Sequence, residues 1–270
     1  MKGFRVFAAA MCAAMFSVAA VSQQASAPSF YQTNCVKVKP EKDSDFRKWA
    51  RETLHKYAQA RVDGGSLSSW FLMRAVAPQG ANVPCDYVVV GAFPGLPPKP
   101  LSPDELTDVL KKAGIGMTAE QYAQSRNALS ELAENGIFTV QARVGGMEKG
   151  DYVVVNLDKT ADAGKWLEAE KKLWQGMAEQ FVKQGMIRGW YANARLIPDG
   201  SAMRYNVLTA DVYPSWDAYF QFQTGPKFLD IWKQVHPDVD PNAAFADYAK
   251  TVDRVSVELW VIDDLVTAAR

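Results

Sequence analysis

One pattern occurs twice in this chain, at a constant distance of 120 residues. Residues 35–70 and residues 155–190 each contain an apolar run typical of a strand, an amphipathic helical pattern, a glycine and a strand that begins with tryptophan. The matched positions are Phe46 with Trp166, Leu54 with Trp174, Gly65 with Gly185 and Trp70 with Trp190. A repeat of this length is far longer than the period of a solenoid, so it predicts two copies of one module.

Each copy belongs to a longer pattern of strand, helix, strand, strand, helix and strand, which is typical of the ferredoxin-like βαββαβ module. Such a sheet carries helices on one face, and two sheets can bury their bare faces by closing on each other. The apolar runs 88–90 and 153–155 fit strands that are buried on both faces. We therefore predict an α+β fold in which two tandem modules, residues 28–146 and 147–270, form a single-chain pseudo-dimeric α/β barrel.

Two helix starts are marked in the second part of the first module. Ser102 and Thr118 are predicted N-caps, and Gln121 would complete a capping box with Thr118. The helix that begins at Thr118 is predicted to run to about Glu134 and to be followed by a strand over residues 137–144.

The first residues have the three parts of a secretory signal peptide. Lys2 and Arg5 precede an apolar stretch over residues 6–21, and a small-residue cleavage pattern ends at Ala27. A membrane anchor is the alternative, but the stretch is shorter than the roughly 20 residues that span a bilayer. We predict a signal peptide over residues 1–27, cleavage after Ala27 and export to the periplasm or the medium, with no stable membrane insertion.

Charge and composition limit the classes of partner. The chain has 30 Lys and Arg against 30 Asp and Glu, and removal of the leader would leave a slight acidic excess. Because proteins that bind nucleic acid show a basic excess or stripe, we predict no nucleic-acid partner. With 48% hydrophobic residues the chain can build an ordinary globular core, and a pseudo-dimer within one chain could stand as a monomer.

Two cysteines would remain after export. Cys12 leaves with the leader, whereas Cys35 and Cys85 stay in the exported chain. Two cysteines in an oxidising compartment most often form a disulfide, and the alternative is a pair of buried thiols. Neither position recurs in the second copy, so a bridge would stabilise the first module without being required by the fold.

Several stretches of the second copy carry a family resemblance: residues 152–156, the pair Gly189-Trp190, residues 205–213 and the pair Ser215-Trp216. With the repeat, they resemble the dimeric α/β-barrel superfamily, and most of all its NIPSNAP-like and antibiotic-biosynthesis-monooxygenase-like branches. The resemblance implies a barrel fold over nearly all of the exported chain. Such families include cofactor-independent oxygenases, isomerases and haem-binding or haem-degrading proteins, whose ligands usually lie between sheet and helices or inside the barrel.

Few residues support a cofactor or metal site. His55 and His236 are the only histidines; His55 is expected on a solvated helix face, and Pro237 beside His236 is explained as a helix stop. The sequence contains no nucleophile elbow, His-Glu-x-x-His pattern, phosphate loop or dinucleotide fingerprint. We predict no metal and no cofactor; haem, which the resemblance admits, would need a ligand from these two histidines.

Polar residues within predicted strands are the candidates for a binding site. A buried charge is costly unless it is paired, so such groups either form structural ion pairs or line a wet pocket. We take Asp211 as a candidate catalytic base. The predicted ligand-binding residues are Arg74, Asn156, Asn193, Trp70 and Trp190.

Three functions are compatible with this sequence. The leading hypothesis is an exported protein that binds a small apolar or aromatic molecule in the barrel. The second is a cofactor-independent oxygenase or isomerase in which Asp211 takes a proton from an acidic carbon. The third is a non-catalytic envelope protein with a packed barrel. Because Asn156 matches Val36 and Asn193 matches Met73 at the repeat distance, any site should be asymmetric.

Overall fold

The computed structural model describes residues 29–80 and 82–268, and the predicted signal peptide lies outside them. Within these residues, eight strands close into one barrel in which every pairing is antiparallel. The strands are β1 (Ser29–Val38), β2 (Ser69–Ala77), β3 (Tyr87–Phe93), β4 (Ser130–Gly145), β5 (Tyr152–Lys159), β6 (Gly189–Ile197), β7 (Val207–Tyr213) and β8 (Asp253–Thr267).

Helices cover the outside of the barrel, so the fold is α+β. They are α1 (Asp43–Trp49), α2 (His55–Asp63), α3 (Pro103–Lys112), α4 (Ala119–Leu129), α5 (Ala163–Glu170), α6 (Gly176–Lys183), α7 (Trp216–Thr224), α8 (Lys227–Val235) and α9 (Pro241–Tyr248). The first π-turn (Ala50–Leu54) joins α1 to α2, and the second π-turn (Lys171–Gln175) joins α5 to α6. In the described part of the chain, no helix is long and apolar enough to cross a membrane.

The strand order around the barrel is β1-β3-β2-β8-β5-β7-β6-β4. Four neighbouring strands thus come from the first half of the chain (residues 29–146) and four from the second half (residues 147–268). The halves meet at two seams, β2 with β8 and β4 with β6. The long strands β4 and β8 each pair within their own half and across a seam. Each of the two seams that close the barrel therefore pairs one strand from each half.

The distance of 120 residues between equivalent positions holds for β2, β3 and α1, but it does not hold for β1. Asn34 pairs with Val89, whereas Asn156 pairs with Thr209, which is 120 residues beyond Val89. The position equivalent to Asn156 is therefore Asn34 and not Val36, so the gapless alignment is wrong in this strand. The connection from the first strand to the helix is two residues shorter in the second half, which accounts for the slip.

Successive side chains along each strand point alternately into the barrel and toward the helices, so the buried residues form three hydrophobic cores. Inside the barrel lie residues such as Met73, Phe138 and Trp260. Phe46 and Trp70 belong to the core beneath the helices of the first half. The core beneath the helices of the second half contains Trp166, Met177, Phe181, Trp190 and Trp232.

Local sequence signals account for several boundaries. Ser102 and Thr118 cap α3 and α4 in full capping boxes, as predicted. The prediction that the second of these helices reaches Glu134 is wrong, because α4 ends at Leu129 and Ser130 begins β4 by pairing with Val38. Ladder hydrogen bonds to β1 outweigh the helical propensity of this segment. A disulfide joins Cys35 of β1 to Cys85, with a Cα–Cα distance of 5.2 Å.

Candidate active site

Two cavities lie on opposite sides of the sheet formed by β5 and β7. The helix-side cleft, with a volume of about 600 Å³, lies between this sheet and the helices of the second half. The barrel lumen, with a volume of about 460 Å³, lies inside the barrel. Side chains therefore do not fill the lumen. The packed-barrel hypothesis requires a filled lumen, so this cavity argues against it.

A row of polar side chains forms the sheet wall of the helix-side cleft. Asn156 of β5 and Thr209 and Asp211 of β7 project toward the helices from paired strands. The Asn156 Nδ2 donates hydrogen bonds to Thr209 Oγ1 at 3.0 Å and to Asp211 Oδ2 at 3.3 Å. Burial raises the pKa of Asp211 to about 6, and this effect outweighs the opposing influences of Arg254 and Asn156. Asp211 can therefore change its protonation state close to neutral pH.

The helical wall supplies a second carboxyl group, Glu170, at the end of α5. Its side chain is 2% exposed, and its Oε1 accepts a hydrogen bond from the hydroxyl of Tyr248 on α9. Its Oε2 is buried and has no hydrogen-bond partner among the described residues. Burial raises the pKa of Glu170 to about 8, with a further contribution from Asp211. Sequence reasoning missed this residue, although a glutamate four residues after Trp166 on an apolar helix face is a usable signal.

Arg254 is an arginine of the cleft lining and is hydrogen-bonded to two neighbouring side chains. Arg254 Nε donates to Oδ1 of the fully buried Asp158, and Arg254 Nη1 donates to Asn156 Oδ1 at 2.7 Å. Burial raises the pKa of Asp158 in spite of this pairing, and its Oδ2 has no partner in the described chain. Asp158, Arg254, Asn156 and Asp211 are thus joined in one hydrogen-bonded network.

Aromatic rings line much of the remaining surface of the cleft. Trp174 follows Glu170 in the second π-turn and stacks on Phe245, with ring centroids 5.6 Å apart. Trp190, which is 3% exposed, lies in the sheet wall. Other rings of the lining are Phe181, Tyr213, Tyr219, Phe222 and Phe228. Apolar walls with a few placed polar groups are typical of small-molecule sites.

The equivalent space in the first half is apolar. Strand pairing and helix position align four residues of the cleft with nonpolar counterparts. Ala50, Val36, Val89 and Gly91 take the places of Glu170, Asp158, Thr209 and Asp211. The carboxyl groups are therefore a feature of the second half. The asymmetry does not come from the predicted mismatch of Asn156 with Val36, because Asn34 is the counterpart of Asn156.

The residues predicted for a site are divided among several places. Asp211, Asn156 and Trp190 come together in the helix-side cleft. Asn193, which is almost fully buried, faces the barrel lumen. Trp70 packs in the first-half core, and Arg74 Nε lies 3.4 Å from Asp263 Oδ1 in an ion pair on the barrel wall.

Neither histidine reaches either cavity. His55 lies on an exposed helix face, as predicted, with its side chain 37% exposed, and its Nδ1 is hydrogen-bonded to Asp264 Oδ2 at 2.7 Å across the two halves. His236 Nε2 donates to the carbonyl oxygen of Leu173 at 3.0 Å. The described residues contain no group of three His, Cys, Asp or Glu side chains placed to hold a metal. A haem with an imidazole ligand does not fit either cavity.

The barrel lumen differs chemically from the cleft. Its wall consists largely of apolar side chains, among them Phe71, Met73, Val90, Val155 and Leu208. Tyr31, Tyr191 and Tyr205 add phenol groups, and Arg204 lies 3.6 Å from Glu258 in an ion pair at the lining. The lumen suits an apolar ligand. Its two lining glutamates, Glu134 and Glu258, are each paired with an arginine, whereas Glu170 and Asp211 of the cleft have no ion pair among the described residues.

Comparison with known proteins yields similarity of structure only. No family model matches the sequence, and no curated protein matches it. The chain is similar to two proteins assigned provisionally as monooxygenases. For the one from Fusobacterium nucleatum the TM-score is 0.54 at 9% identity, covering 90% of this chain and 95% of that one. For the one from Lactobacillus acidophilus it is 0.52 at 14% identity, covering 89% and 96%.

A third solved structure, of an anthrone oxidase-like protein, gives a TM-score of 0.51 at 13% identity, covering 90% of this chain and 94% of that one. At these identities the similarity concerns the fold and not the activity. Together with the closed eight-stranded barrel, it shows that this chain shares the fold of these proteins.

Proposed function

We propose that the helix-side cleft binds a small aromatic or apolar molecule and that Asp211 acts on it as a general base. The observation that carries the proposal is a carboxyl group with a pKa of about 6 in an aromatic-lined cleft. A general base works best when its pKa is near the working pH. Asn156 and Thr209 hold the network in which this carboxyl group lies.

The reaction class is that of a cofactor-independent oxygenase or isomerase. The Asp211 carboxylate takes a proton from a carbon that a neighbouring carbonyl or phenol makes acidic. The carbanion then regains a proton at another carbon, which is isomerisation, or gives electrons to dioxygen as co-substrate, which is oxygenation. The names of the structurally similar proteins, monooxygenase and anthrone oxidase-like, support the second outcome.

Replacement of the base tests this proposal. The protein would be incubated with anthrone, as an oxygenase probe, and with a β,γ-unsaturated ketone, as an isomerase probe, while oxygen uptake and product are measured. Asp211→Asn should lower kcat by about 100-fold or more, the usual contribution of a general base. Asp217→Asn, at an exposed position of α7, is the control. Equal turnover by the two variants would show that Asp211 is not the base.

We propose as a second candidate that the barrel lumen carries an apolar or aromatic molecule without reaction. Its cavity of about 460 Å³ and its apolar lining support this function. Native mass spectrometry of protein purified from its own host should show a retained small molecule. Ala210→Phe, which adds a ring inside the lumen, should abolish that retention, whereas a ligand held in the cleft would remain.

We also propose that the chain is a tandem duplication of modules 28–146 and 147–270, exported after cleavage behind Ala27. The matching strand orders in the two halves support the duplication. A disulfide between Cys35 and Cys85 is compatible with an oxidising compartment. N-terminal sequencing of the protein from its host should begin at Pro28; a chain that still carries residues 1–27 would contradict cleavage.

A further inference from the structure

Glu170 has a buried oxygen to which no residue in the described part of the chain is hydrogen-bonded. The Oε2 atom has no partner among the described residues, and the side chain lines the helix-side cleft beside Asp211. A buried polar atom without a partner costs free energy comparable to the loss of a hydrogen bond. Its presence in a cavity lining therefore points to a group that arrives with a ligand.

The fold does not need a carboxyl group at this position. In the first half, Ala50 at the start of the first π-turn occupies the equivalent place, where it is buried against an apolar core. The hydroxyl of Tyr248 satisfies only one of the two oxygens of Glu170. The hydrogen bond from Tyr248 therefore accounts for Oε1 of the glutamate, but nothing in the packing accounts for Oε2.

The charges around the cleft determine the protonation of Glu170. Asp158, Glu170 and Asp211 share the region with Arg254, which is already bonded to Asp158 and Asn156. Burial and the neighbouring carboxylates keep Glu170 neutral at neutral pH. Since Oε1 accepts a hydrogen bond from Tyr248, the proton of the neutral group lies on Oε2, a buried atom of a side chain that lines the cleft.

We propose that the Oε2–H group of Glu170 donates a hydrogen bond to a ligand oxygen, which makes the ligand a neutral aromatic ketone or related enolisable compound. This inference rests on the proposed function of the cleft. The proton on carbon passes to the Asp211 carboxylate, and the negative charge that develops on the carbonyl oxygen is stabilised by Glu170, which keeps its proton. Donors placed where charge develops are a major source of catalysis.

Two probes of the same shape test the hydrogen bond. Acetylnaphthalene carries a carbonyl oxygen that does not titrate, and ethylnaphthalene lacks the oxygen. Wild-type protein should bind acetylnaphthalene more tightly, and Glu170→Leu should weaken its binding by about tenfold, equal to one hydrogen bond. Binding of ethylnaphthalene should change little. Equal losses for both probes, or failure of acetylnaphthalene to bind wild-type protein, would overturn the inference.

The dependence on pH supplies an independent readout. Affinity for acetylnaphthalene should fall above about pH 8, where Glu170 loses its proton. Glu170→Gln keeps an amide donor, so it should bind acetylnaphthalene without this decline. Glu168→Gln, on the exposed side of the same helix, should behave as wild type. A decline that persists unchanged in Glu170→Gln would assign it to another group and overturn the inference.

Infrared spectroscopy without ligand tests the neutral state directly. At neutral pH, wild-type protein should show the carbonyl stretch of a protonated carboxyl group that is absent from Glu170→Gln and present in Glu168→Gln. Absence of this band from wild-type protein would refute the neutral donor. This readout does not depend on turnover, so it separates failure of the donor from failure of Asp211 as the base.

Discussion

At the scale of single residues, the balance of charge in the helix-side cleft sets both stability and reactivity. Asp158 is fully buried and is bonded to Arg254, whose other contact is Asn156. Glu170 forms no ion pair with any described residue, and burial raises its pKa to about 8, which keeps it largely neutral at neutral pH. The folded protein therefore holds protons on carboxyl groups of the cleft that the unfolded chain would release. A change of pH alters the free energy of unfolding through the same residues that are proposed to act on a ligand.

Glu170 should make the folded protein less stable as pH rises. Because its folded pKa is raised from 4.5 to about 8, the folded protein keeps a proton that the unfolded chain releases. This contribution is fully present below about pH 4.5 and is lost by about pH 8, with a slope of up to about 1.4 kcal/mol per pH unit. Urea unfolding should show that Glu170→Gln removes this slope and Glu168→Gln does not. A slope retained by Glu170→Gln would contradict the assignment.

Loss of Arg254 should be costly because it leaves Asp158 buried without a charge partner. We expect Arg254→Leu to lower the free energy of unfolding by about 3 kcal/mol or more. The double variant Asp158→Leu with Arg254→Leu should recover most of this loss, since no unpaired charge remains. A double-mutant cycle measured by urea unfolding checks both values. Additive losses would mean that the two side chains are not coupled.

Sequence could identify part of this site but not its composition. Asp211 and Asn156 are visible because polar residues interrupt apolar strand runs. The spacing of Glu170 from Trp166 indicates that both lie on one helix face, but the sequence gives no sign that an oxygen of Glu170 lacks a partner. Arg254 lies near the end of the chain, and only the pairing of β8 with β5 brings it to Asp158. Contacts of such long range are not encoded in local periodicity.

At the scale of elements, the helix caps are fixed locally and the strand registers are not. Ser102 and Thr118 meet their capping partners three residues away, so their sequence patterns suffice to predict both helix starts. The slip of two residues between β1 and β5 depends on pairing with distant strands. The prediction that α4 reaches Glu134 is wrong for the same reason, because Ser130 pairs with Val38 of the distant strand β1.

The capping box of α3 should be a local source of stability. The Ser102 hydroxyl accepts from the amide of Glu105, and the Glu105 carboxylate accepts from the amide of Ser102. Ser102→Ala should destabilise the helix by about 1 kcal/mol. Hydrogen exchange should then speed up in α3, while the amides of the barrel strands keep their protection. Faster exchange throughout the barrel would show that α3 is coupled to global unfolding.

At the scale of the whole molecule, neither half closes a sheet by itself. The seams β2 with β8 and β4 with β6 join the halves, and both sheets face the apolar lumen. Separation would leave four strand edges unpaired and would expose the lumen to water. The barrel is thus one cooperative body, even though its sequence has two parts.

Expression of the halves as separate chains tests this cooperativity. Residues 28–146 and residues 147–270, each produced alone, should self-associate or precipitate rather than form folded monomers. Mixed in equal amounts, they should assemble into a complex with the mass of one full chain. Size-exclusion chromatography with light scattering distinguishes the outcomes. A stable folded monomer from either fragment would contradict the prediction.

The position of β8 after the other seven barrel strands has a consequence for biosynthesis. Asp253–Thr267 supplies the only partner that β2 has on its second edge in the described barrel, and it also completes the pairing of β5. A nascent chain must therefore carry open strand edges until β8 has been made. Strands β2 and β5 are exposed to wrong pairing during that interval, and β8 ends the exposure by pairing with both.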